Sequence, residues 1–483
     1  MKLKQEFIDM LAGIGDSRFE RLPEVLSETA PEVSVRLNPL KRSKIADFET
    51  GEAVAWCDAG RYLAERPKFT LDPLMHQGAY YVQDASSMIM VEVAKKIAAF
   101  LGKEEGENFE GDYPENQGGR PVLWLDACAA PGGKSTAASD GLPEGSMVVS
   151  NEFDYGRAEV LAENLAKWGR ANSVVTRGDT AQYRRVGEIF DVVAIDAPCS
   201  GEGMMRKDQQ ACDQWSPGLV EECAARQREI LGNVWEALRP GGYLVYSTCT
   251  FNTTEDESIV RWLADEYGAA PVDLSLPFSI DGAVGSQIPA LRFIPGHIRG
   301  EGLFLAVLKK PGFSRLKDFS KPESRKKAVK KGKENRKSVA FDFKRSLSWL
   351  RAEVVEQFVI SESDGALRAF PKAWERLLPL FEEKLQVISA GVLFAEIKGK
   401  DLIPTQQLAL SEIMNPGAFV QAEMTRGQAI DYLARLSVEL PEGTPAGFVL
   451  LTYAGLPLGF VKNIGNRVNN LYPKEWRIKN LPK

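Results

Sequence analysis

The sequence predicts an α/β architecture organised on a parallel sheet, and three observations predict it. From Pro121 onward, short apolar runs alternate with amphipathic helical stretches, the pattern of a parallel sheet with helices on both faces. The first run, Val122–Asp126, passes through a small-residue loop into Lys134-Ser135-Thr136 at the start of a helix, VLWLDACAAPGGKST. Three later runs end in acidic residues: Glu152, Asp179 and Asp196. Ligands of open parallel sheets bind in the crevice beyond the C-terminal strand ends, so the loop and the three acids converge on one place.

A prior of about 150 residues per domain gives about three domains for 483 residues. Residues 1–118 read as a mixed α+β unit. An amphipathic opening (Phe7, Ile8, Leu11) precedes the helix-like RFERLPEVLSE and the strand SVRLNPLK. In GAYYVQDASSMIMVEVAKKIAAFL, Asp84 or Ser86 caps a helix with Met88, Val91, Val93 and Ile97 on its apolar face. Tyr80 and Tyr81 read as ordinary core aromatics of a strand. Gly102–Arg120 is polar, acidic and rich in Gly and Asn, and reads as a mobile surface insertion without an assigned function.

Residues 119–312 form the predicted catalytic unit. After the loop come a strand MVVSNE, a helix GRAEVLAENLAKWG, a strand SVVTRGD and a strand FDVVAIDAPCSG. A long helix over Leu219–Leu238 is stopped by RPGG. YLVYSTCT is the next strand, TTEDESIVRWLADEYG a helix with acids in its first turn, and GLFLAVLKK the closing strand.

Residues 313–340 are a basic linker. From Lys309 to Ser338 there are thirteen Lys and Arg against three Asp and Glu, a net +10 that leaves −16 for the rest of a chain of net charge −6. Such a segment does not fold alone, and reads as a solvated tether compatible with an RNA-tracking arm. Residues 341–483 make a third unit, with a helix near Trp349–Phe358, a strand around VISAGVLFAEI and a hairpin turning at Pro457 in Gly-Leu-Pro-Leu-Gly. Lys462, Arg467, Lys474, Arg477 and Lys479 gather near Tyr472 and Trp476, a pattern that suits an RNA-binding face.

Composition narrows the class. The N-terminal MKLKQEFIDMLAGIGD lacks the apolar core of a signal peptide, and no apolar stretch reaches the ~18 residues of a membrane span. Six cysteines without a CxxC pair argue against a zinc ribbon and a disulfide scaffold, and point to a cytoplasmic protein with reduced thiols. His76 and His297 are too few and too distant for a metal site, and no metal is expected.

The loop discriminates among nucleotide-like ligands. A Walker A loop requires glycine where Cys128 stands, and a dinucleotide fingerprint requires Gly-x-Gly-x-x-Gly where only Gly132-Gly133 is present. S-adenosylmethionine remains open. Glu152, one strand beyond the loop, is placed to accept from ribose hydroxyls, and Asp179 to meet the adenine amino group.

Two cysteines, Cys199 in DAPCSG and Cys249 in STCT, end consecutive strands over the same crevice. Carbon 5 of cytosine is too weak a nucleophile to take a methyl group directly. A thiolate added at carbon 6 makes it enamine-like, and loss of the carbon-5 proton with expulsion of the thiol then restores aromaticity. The thiol needs a depressed pKa or a nearby base, and Lys134, Arg206 and Lys207 are candidate positive neighbours. Sequence physics leaves the two thiols unranked. Cys128 reads as structural, and Cys57, Cys212 and Cys223 as packing or surface residues.

DACAAPGGKST, DAPCSGEGM and STCTFN, in this order, resemble the RNA cytosine-5 methyltransferases of the Nol1/Nop2/Sun family, as do SVRLN and YYVQDASS. The layout, with a basic linker and a C-terminal unit containing GFVKN, is most similar to the bacterial small-subunit ribosomal RNA enzymes of RsmF type. The resemblance implies a Rossmann-like S-adenosylmethionine-dependent core, an RRM-like N-terminal region and a PUA-like C-terminal RNA-binding domain. It implies Cys249 as nucleophile and Cys199 as the cysteine that releases the product. Cys128, Ala129, Ala130, Pro131, Gly132, Gly133 and Lys134 would wrap the cofactor, with Glu152, Asp179 and Asp196 as further contacts. A second role for Asp196, toward the target base, stays open. The implied protein is a monomer that forms 5-methylcytosine in ribosomal RNA or the small ribosomal subunit. The acidic insertion departs from that pattern. The same chemistry on transfer RNA is the enzyme alternative. A non-catalytic RNA-binding or ribosome-assembly factor is the other, disfavoured because such a scaffold needs neither both cysteines nor all three carboxylates.

Overall fold

The computed structural model describes residues 1–41, 51–106, 119–278, 280–285, 288–315, 317–319 and 346–481. Most of the expected acidic insertion, and all but the first few residues of the expected basic linker, lie outside them.

The chain opens with α1 (Gln5–Gly13) and α2 (Leu22–Glu28), then β1 (Val33–Leu37), β2 (Ala53–Val54), β3 (Cys57–Leu63), α3 (Pro73–His76) and β4 (Tyr80–Val82). These strands form an antiparallel sheet in the order β2-β3-β1-β4. Its period of two divides β1 cleanly. Val35 and Leu37 enter an apolar cluster with Phe69 and Tyr80, while Ser34 and Arg36 are buried on the other face. Asp84 Oδ2 accepts from Ser87 N at 3.3 Å, and after one 3-10 turn helix α4 (Met90–Gly106) begins. Met88, Val93 and Ile97 pack against Ala137 and Ala138 of the next unit.

That unit contains β5 (Leu123–Asp126), α5 (Gly133–Gly141), β6 (Met147–Glu152), α6 (Tyr155–Trp168), β7 (Ser173–Arg177), β8 (Phe190–Asp196), α7 (Gln209–Gln214), α8 (Pro217–Trp235) and β9 (Leu238–Thr248). It continues with α9 (Glu257–Tyr267), β10 (Ala270–Pro271), β11 (Ala290–Phe293) and β12 (Leu303–Lys309). The order is β10-β12-β9-β8-β5-β6-β7, with β5 to β9 parallel and β11 paired to β12. Both faces are covered, which is why β5 reads as an unbroken apolar run: Leu123 and Leu125 enter one core cluster, Val122 and Trp124 the other. The chain runs outward from β5 through β6 to β7, then returns to β8 on the other side. The crevice between β5 and β8 is therefore the topological switch point.

Four local expectations are corrected. Helix α8 ends at Trp235, and Arg239-Pro240-Gly241-Gly242 is a bulge inside β9, between the Phe190–Leu238 and Val192–Tyr243 pairs. The bulge is anchored by Arg239, whose Nε donates to the buried Asp191 carboxylate at 2.6 Å. The expected helix over Trp349–Phe358 is only α10 (Ala352–Val355), because Leu350 bridges to Met414 and Phe358 already begins β13 (Phe358–Ser363). The single strand expected in VISAGVLFAEI breaks at Gly391. Beyond β14 (Ala366–Pro371) and α11 (Leu377–Lys384), β15 (Gln386–Ala390) pairs with β7 and extends the large sheet, while β16 (Val392–Lys398) joins a separate sheet β13-β14-β16-β17, the last being Asp401–Pro404. The hairpin turns at Ala454-Gly455, both at positive φ, and Pro457 stands in a strand opposite Thr452.

The last sheet is β18 (Val420–Glu423), β19 (Gly447–Tyr453), β20 (Leu456–Asn463) and β21 (Val468–Asn470), in that order. Tyr472 is fully buried in its core, so it is no stacking platform, whereas Trp476 is partly exposed and lies against Lys167 of α6. No described helix is long and apolar enough to cross a membrane.

Candidate active site

The loop between β5 and α5 is clamped on every side. Ala127 N donates to Ala194 O and Ala129 N to Asn151 O, joining the loop to β8 and β6. Pro131 O accepts from Tyr81 Oη at 3.0 Å and from Asn164 Nδ2 at 2.9 Å, and Ala130 O accepts from Arg157 at 2.9 Å. Gly132, the residue before α5, has φ +111°, and a Cβ there would lie 3.2 Å from Leu161 Cδ1, so this position requires glycine. The N–H groups of Gly133, Lys134 and Ser135 find no acceptor among the described residues. They are three donors at a helix N-terminus, aimed at the space above β5.

The strand-end acids divide by environment. Glu152 is buried; its Oε1 accepts from Phe153 N and Asp154 N, and its Oε2 lies 3.5 Å from Arg157. Asp196 Oδ2 pairs with Lys134 Nζ at 2.8 Å, and its Oδ1 accepts from Ser247 Oγ at 3.1 Å. Asp179 is exposed, lies two residues past the end of β7, and caps a 3-10 turn by accepting from Ala181 N at 2.8 Å. Behind the loop, burial pushes Asp126 up to about 6, although Ser135 Oγ donates to it at 2.6 Å. Burial and the surrounding carboxylates likewise push the Cys128 thiol up, which suits an inert packing role.

The two predicted cysteines meet: Cys199 Sγ and Cys249 Sγ are 3.3 Å apart, both partly exposed. The contact with Cys249, together with burial, pushes the Cys199 thiol well up. Of the three candidate cations, Lys134 is the one beside them. Burial opposes its charge, but Asp196 and Cys249 raise its pKa overall, so it remains an ammonium. Arg206 instead donates to the carbonyls of Ala30 and Gly300, and Lys207 pairs with Glu301 at 3.5 Å. Cys57, Cys212 and Cys223 are buried in packing positions.

Two buried carboxylates that the sequence reading passed over hold the cysteine loops in place. Glu202 accepts from Phe251 N at 2.6 Å, Asn252 N at 3.1 Å, Asn252 Nδ2 at 2.8 Å and Trp215 Nε1 at 3.0 Å. Glu255 accepts from Ser200 N at 3.0 Å, Ser200 Oγ, Asn252 Nδ2 and Gln227 Nε2. One loop follows Cys199 and the other follows Cys249, so these bonds fix the distance between the sulfurs. Gly203 completes the contact: its N–H donates to Cys249 O at 2.7 Å, and a Cβ there would meet that oxygen at the same distance. The available signal lies in TTEDE: its acids are expected only in the first turn of a helix, and Glu255, Asp256 and Glu257 are all completely buried.

Three family models match the chain. Residues 114–309 match the family model of the 16S rRNA methyltransferase RsmB/F, residues 3–85 the N-terminal domain of 16S rRNA methyltransferase RsmF, and residues 420–478 the methyltransferase RsmF PUA domain. The chain is 32% identical over 468 residues to the ribosomal RNA small subunit methyltransferase F of Klebsiella pneumoniae (strain 342), covering 92% of this chain and 89% of that one. It is 31% identical over 475 residues to the protein of the same name from Escherichia coli (strain K12), with the same coverages. Among solved structures, PH0851 superposes with a TM-score of 0.54 at 21% identity, over 64% of this chain and 66% of that one. NSun6 from Pyrococcus horikoshii with SFG superposes with a TM-score of 0.52 at 18% identity, over 64% and 99%. These two likenesses concern the fold.

Proposed function

The chain belongs to the ribosomal RNA small subunit methyltransferase F family, and from that premise we propose that it transfers a methyl group to carbon 5 of a cytosine in small-subunit ribosomal RNA through a covalent cysteine adduct. The observation that carries this reading is the 3.3 Å contact between Cys199 and Cys249 beside the Lys134–Asp196 pair.

The methyl donor is S-adenosylmethionine, which supplies an electrophilic methyl group. The loop fits it: three unpartnered N–H groups, a glycine where a side chain would clash, and the Glu152 carboxylate one strand away suit its carboxylate and ribose. Asp179 keeps one carboxylate oxygen beyond its cap for the adenine amino group. Cys128 to Gly133 would form the wall of the cofactor space, and Asp196, held by Lys134 and Ser247, would be a further contact.

On the RNA side, Cys249 acts as thiolate and adds to carbon 6 of the cytosine, so that carbon 5 becomes nucleophilic and takes the methyl group. Lys134 favours that thiolate by charge, and Cys199 favours it by donating its S–H. In the closing step a base removes the carbon-5 proton, the carbon–sulfur electron pair leaves with Cys249, and the Cys199 thiol stabilises the departing thiolate. The sulfur contact supports these two roles, and the ranking of Cys249 as nucleophile over Cys199 follows the family resemblance. Because the base must reach sulfur atoms in a cleft, the substrate cytosine is one that can leave its stack.

The test is methyl transfer from tritiated S-adenosylmethionine to small-subunit ribosomal RNA, offered naked and as assembled subunits, followed by nucleoside analysis. Label in 5-methylcytidine is the expected result. Label confined to ribose or to another base would overturn the reading.

A further inference from the structure

Arg36 belongs to the N-terminal sheet, yet its guanidinium is completely buried against the cofactor-side helix of the catalytic unit. Its Nη2 donates to Thr136 Oγ1 at 2.6 Å and reaches Gly133 O at 3.4 Å, and its Nη1 pairs with Asp140. Gly133, Thr136 and Asp140 all lie on α5, the helix whose first turn carries the three unpartnered N–H groups. Its Nε donates to Gln83 Oε1 at 2.8 Å, and Gln83 Nε2 in turn donates to Gly133 O at 3.2 Å. The guanidinium plane lies 4.4 Å from the centre of the Trp168 ring, whose Nε1 donates to Asp140 at 3.0 Å. A planar fork that reaches four acceptors at once and lies over an indole admits one orientation, and a lysine would supply only a point charge.

We propose that Arg36 is a positioning residue for the methyl donor: it sets the orientation of the first turn of α5, and thereby makes the N-terminal sheet part of the cofactor site. This rests on the reading of the β5–α5 loop as the S-adenosylmethionine cradle. Neither Arg36 nor Gln83 carries chemistry, and both reach the cofactor only through Gly133 and the turn that follows it. The consequence is selective. Loosening Arg36 weakens cofactor binding, while the thiols, which are held by Glu202 and Glu255, keep their geometry.

The experiment uses the full chain and reads S-adenosylmethionine affinity by calorimetry alongside KM and kcat. Arg36→Lys and Gln83→Leu are each expected to raise the dissociation constant and the cofactor KM by about tenfold, with kcat at saturating cofactor and the RNA KM changed by less than about twofold. Tyr80→Phe removes the 2.6 Å bond to Asp72 on the face of the same sheet that carries Val35 and Leu37, opposite Arg36, and is expected to lower thermal stability without moving cofactor affinity. Gly132→Ala is expected to abolish cofactor binding. If Arg36→Lys does not fold, Gln83→Leu carries the test. Unchanged cofactor affinity in the variants of Arg36 and Gln83, with binding lost in Gly132→Ala, would overturn the positioning role alone. Equal weakening by Tyr80→Phe would also overturn it, since the effect would then be one of stability. Full affinity in Gly132→Ala would overturn the loop reading itself.

Discussion

Cys199 and Cys249 are 50 residues apart in sequence, and their sulfurs are 3.3 Å apart in the fold. The contact and burial push the Cys199 thiol up, which suits the release role proposed for it and leaves Cys249 as the proposed nucleophile. Cys249→Ala is therefore expected to abolish methyl transfer, by at least about a thousandfold, with S-adenosylmethionine affinity intact. Cys199→Ala should instead trap a covalent protein–RNA complex, visible as a shifted band that survives denaturation and is removed by nuclease. A shifted band with Cys249→Ala and none with Cys199→Ala would invert the assignment.

Glu202 accepts from two backbone N–H groups, an indole N–H and the Asn252 amide, with the Ser200 hydroxyl at 3.4 Å. Glu202→Gln keeps the volume but turns an NH2 group toward two of them. The expected loss is about 2–4 kcal/mol of stability, read from urea denaturation midpoints. A drop in kcat of about tenfold or more should accompany it, because Phe251 and Asn252 follow directly on the Cys249 loop. A variant with wild-type stability and turnover would show that the carboxylate does not set the sulfur spacing.

Local chemistry was legible where a residue's role follows from its own strand. Glu152 and Asp196 do end their strands, and Lys134 does start the helix after the loop. Roles set by distant partners were not legible. Tyr81 reads as one of two core aromatics, but its hydroxyl holds the Pro131 carbonyl of the loop; its neighbour Tyr80 is the buried one. Arg36 alternates with Val35 and Leu37 as any strand residue facing solvent would, and only the docking of α5 makes it buried. The RPGG run has the composition of a helix stop, and its actual place in a bulge depends on Asp191 of the adjacent strand. Beyond Phe341, the apolar pattern carried no sign that β15 would leave its own sheet neighbours and pair with β7.

Asp179 has two possible employments, and substitution separates them. Its Oδ1 caps a 3-10 turn, and the other oxygen, with no hydrogen-bond donor among the described residues, is the one proposed for the adenine amino group. Asp179→Asn retains a capping oxygen, so the melting temperature should stay within about 2 °C of wild type. Cofactor affinity should nevertheless fall by about three- to tenfold, because a charged acceptor is replaced by a neutral one. Asp179→Ala should lose both, with about 0.5–2 kcal/mol of stability lost with the cap. Calorimetric titration of the asparagine variant decides the matter, since unchanged affinity would leave Asp179 a cap only.

Asp126 links the loop to pH. Burial pushes its carboxyl up to about 6 from an ordinary 3.8, so the folded state prefers it protonated. A raised folded-state pKa contributes stability that is fully present below the unfolded pKa and is lost as pH rises through the folded one. The window is therefore pH 4 to 6. Asp126→Asn cannot ionise and keeps an oxygen for the Ser135 hydroxyl, which donates to it at 2.6 Å. Its stability relative to wild type should rise by about 2–3 kcal/mol between pH 4 and pH 7, then stay level. Urea unfolding of both proteins across that range measures the difference directly. A difference that does not change with pH would mean that the carboxylate is ionised at no cost behind the loop, and that Ser135 and the backbone already compensate its burial.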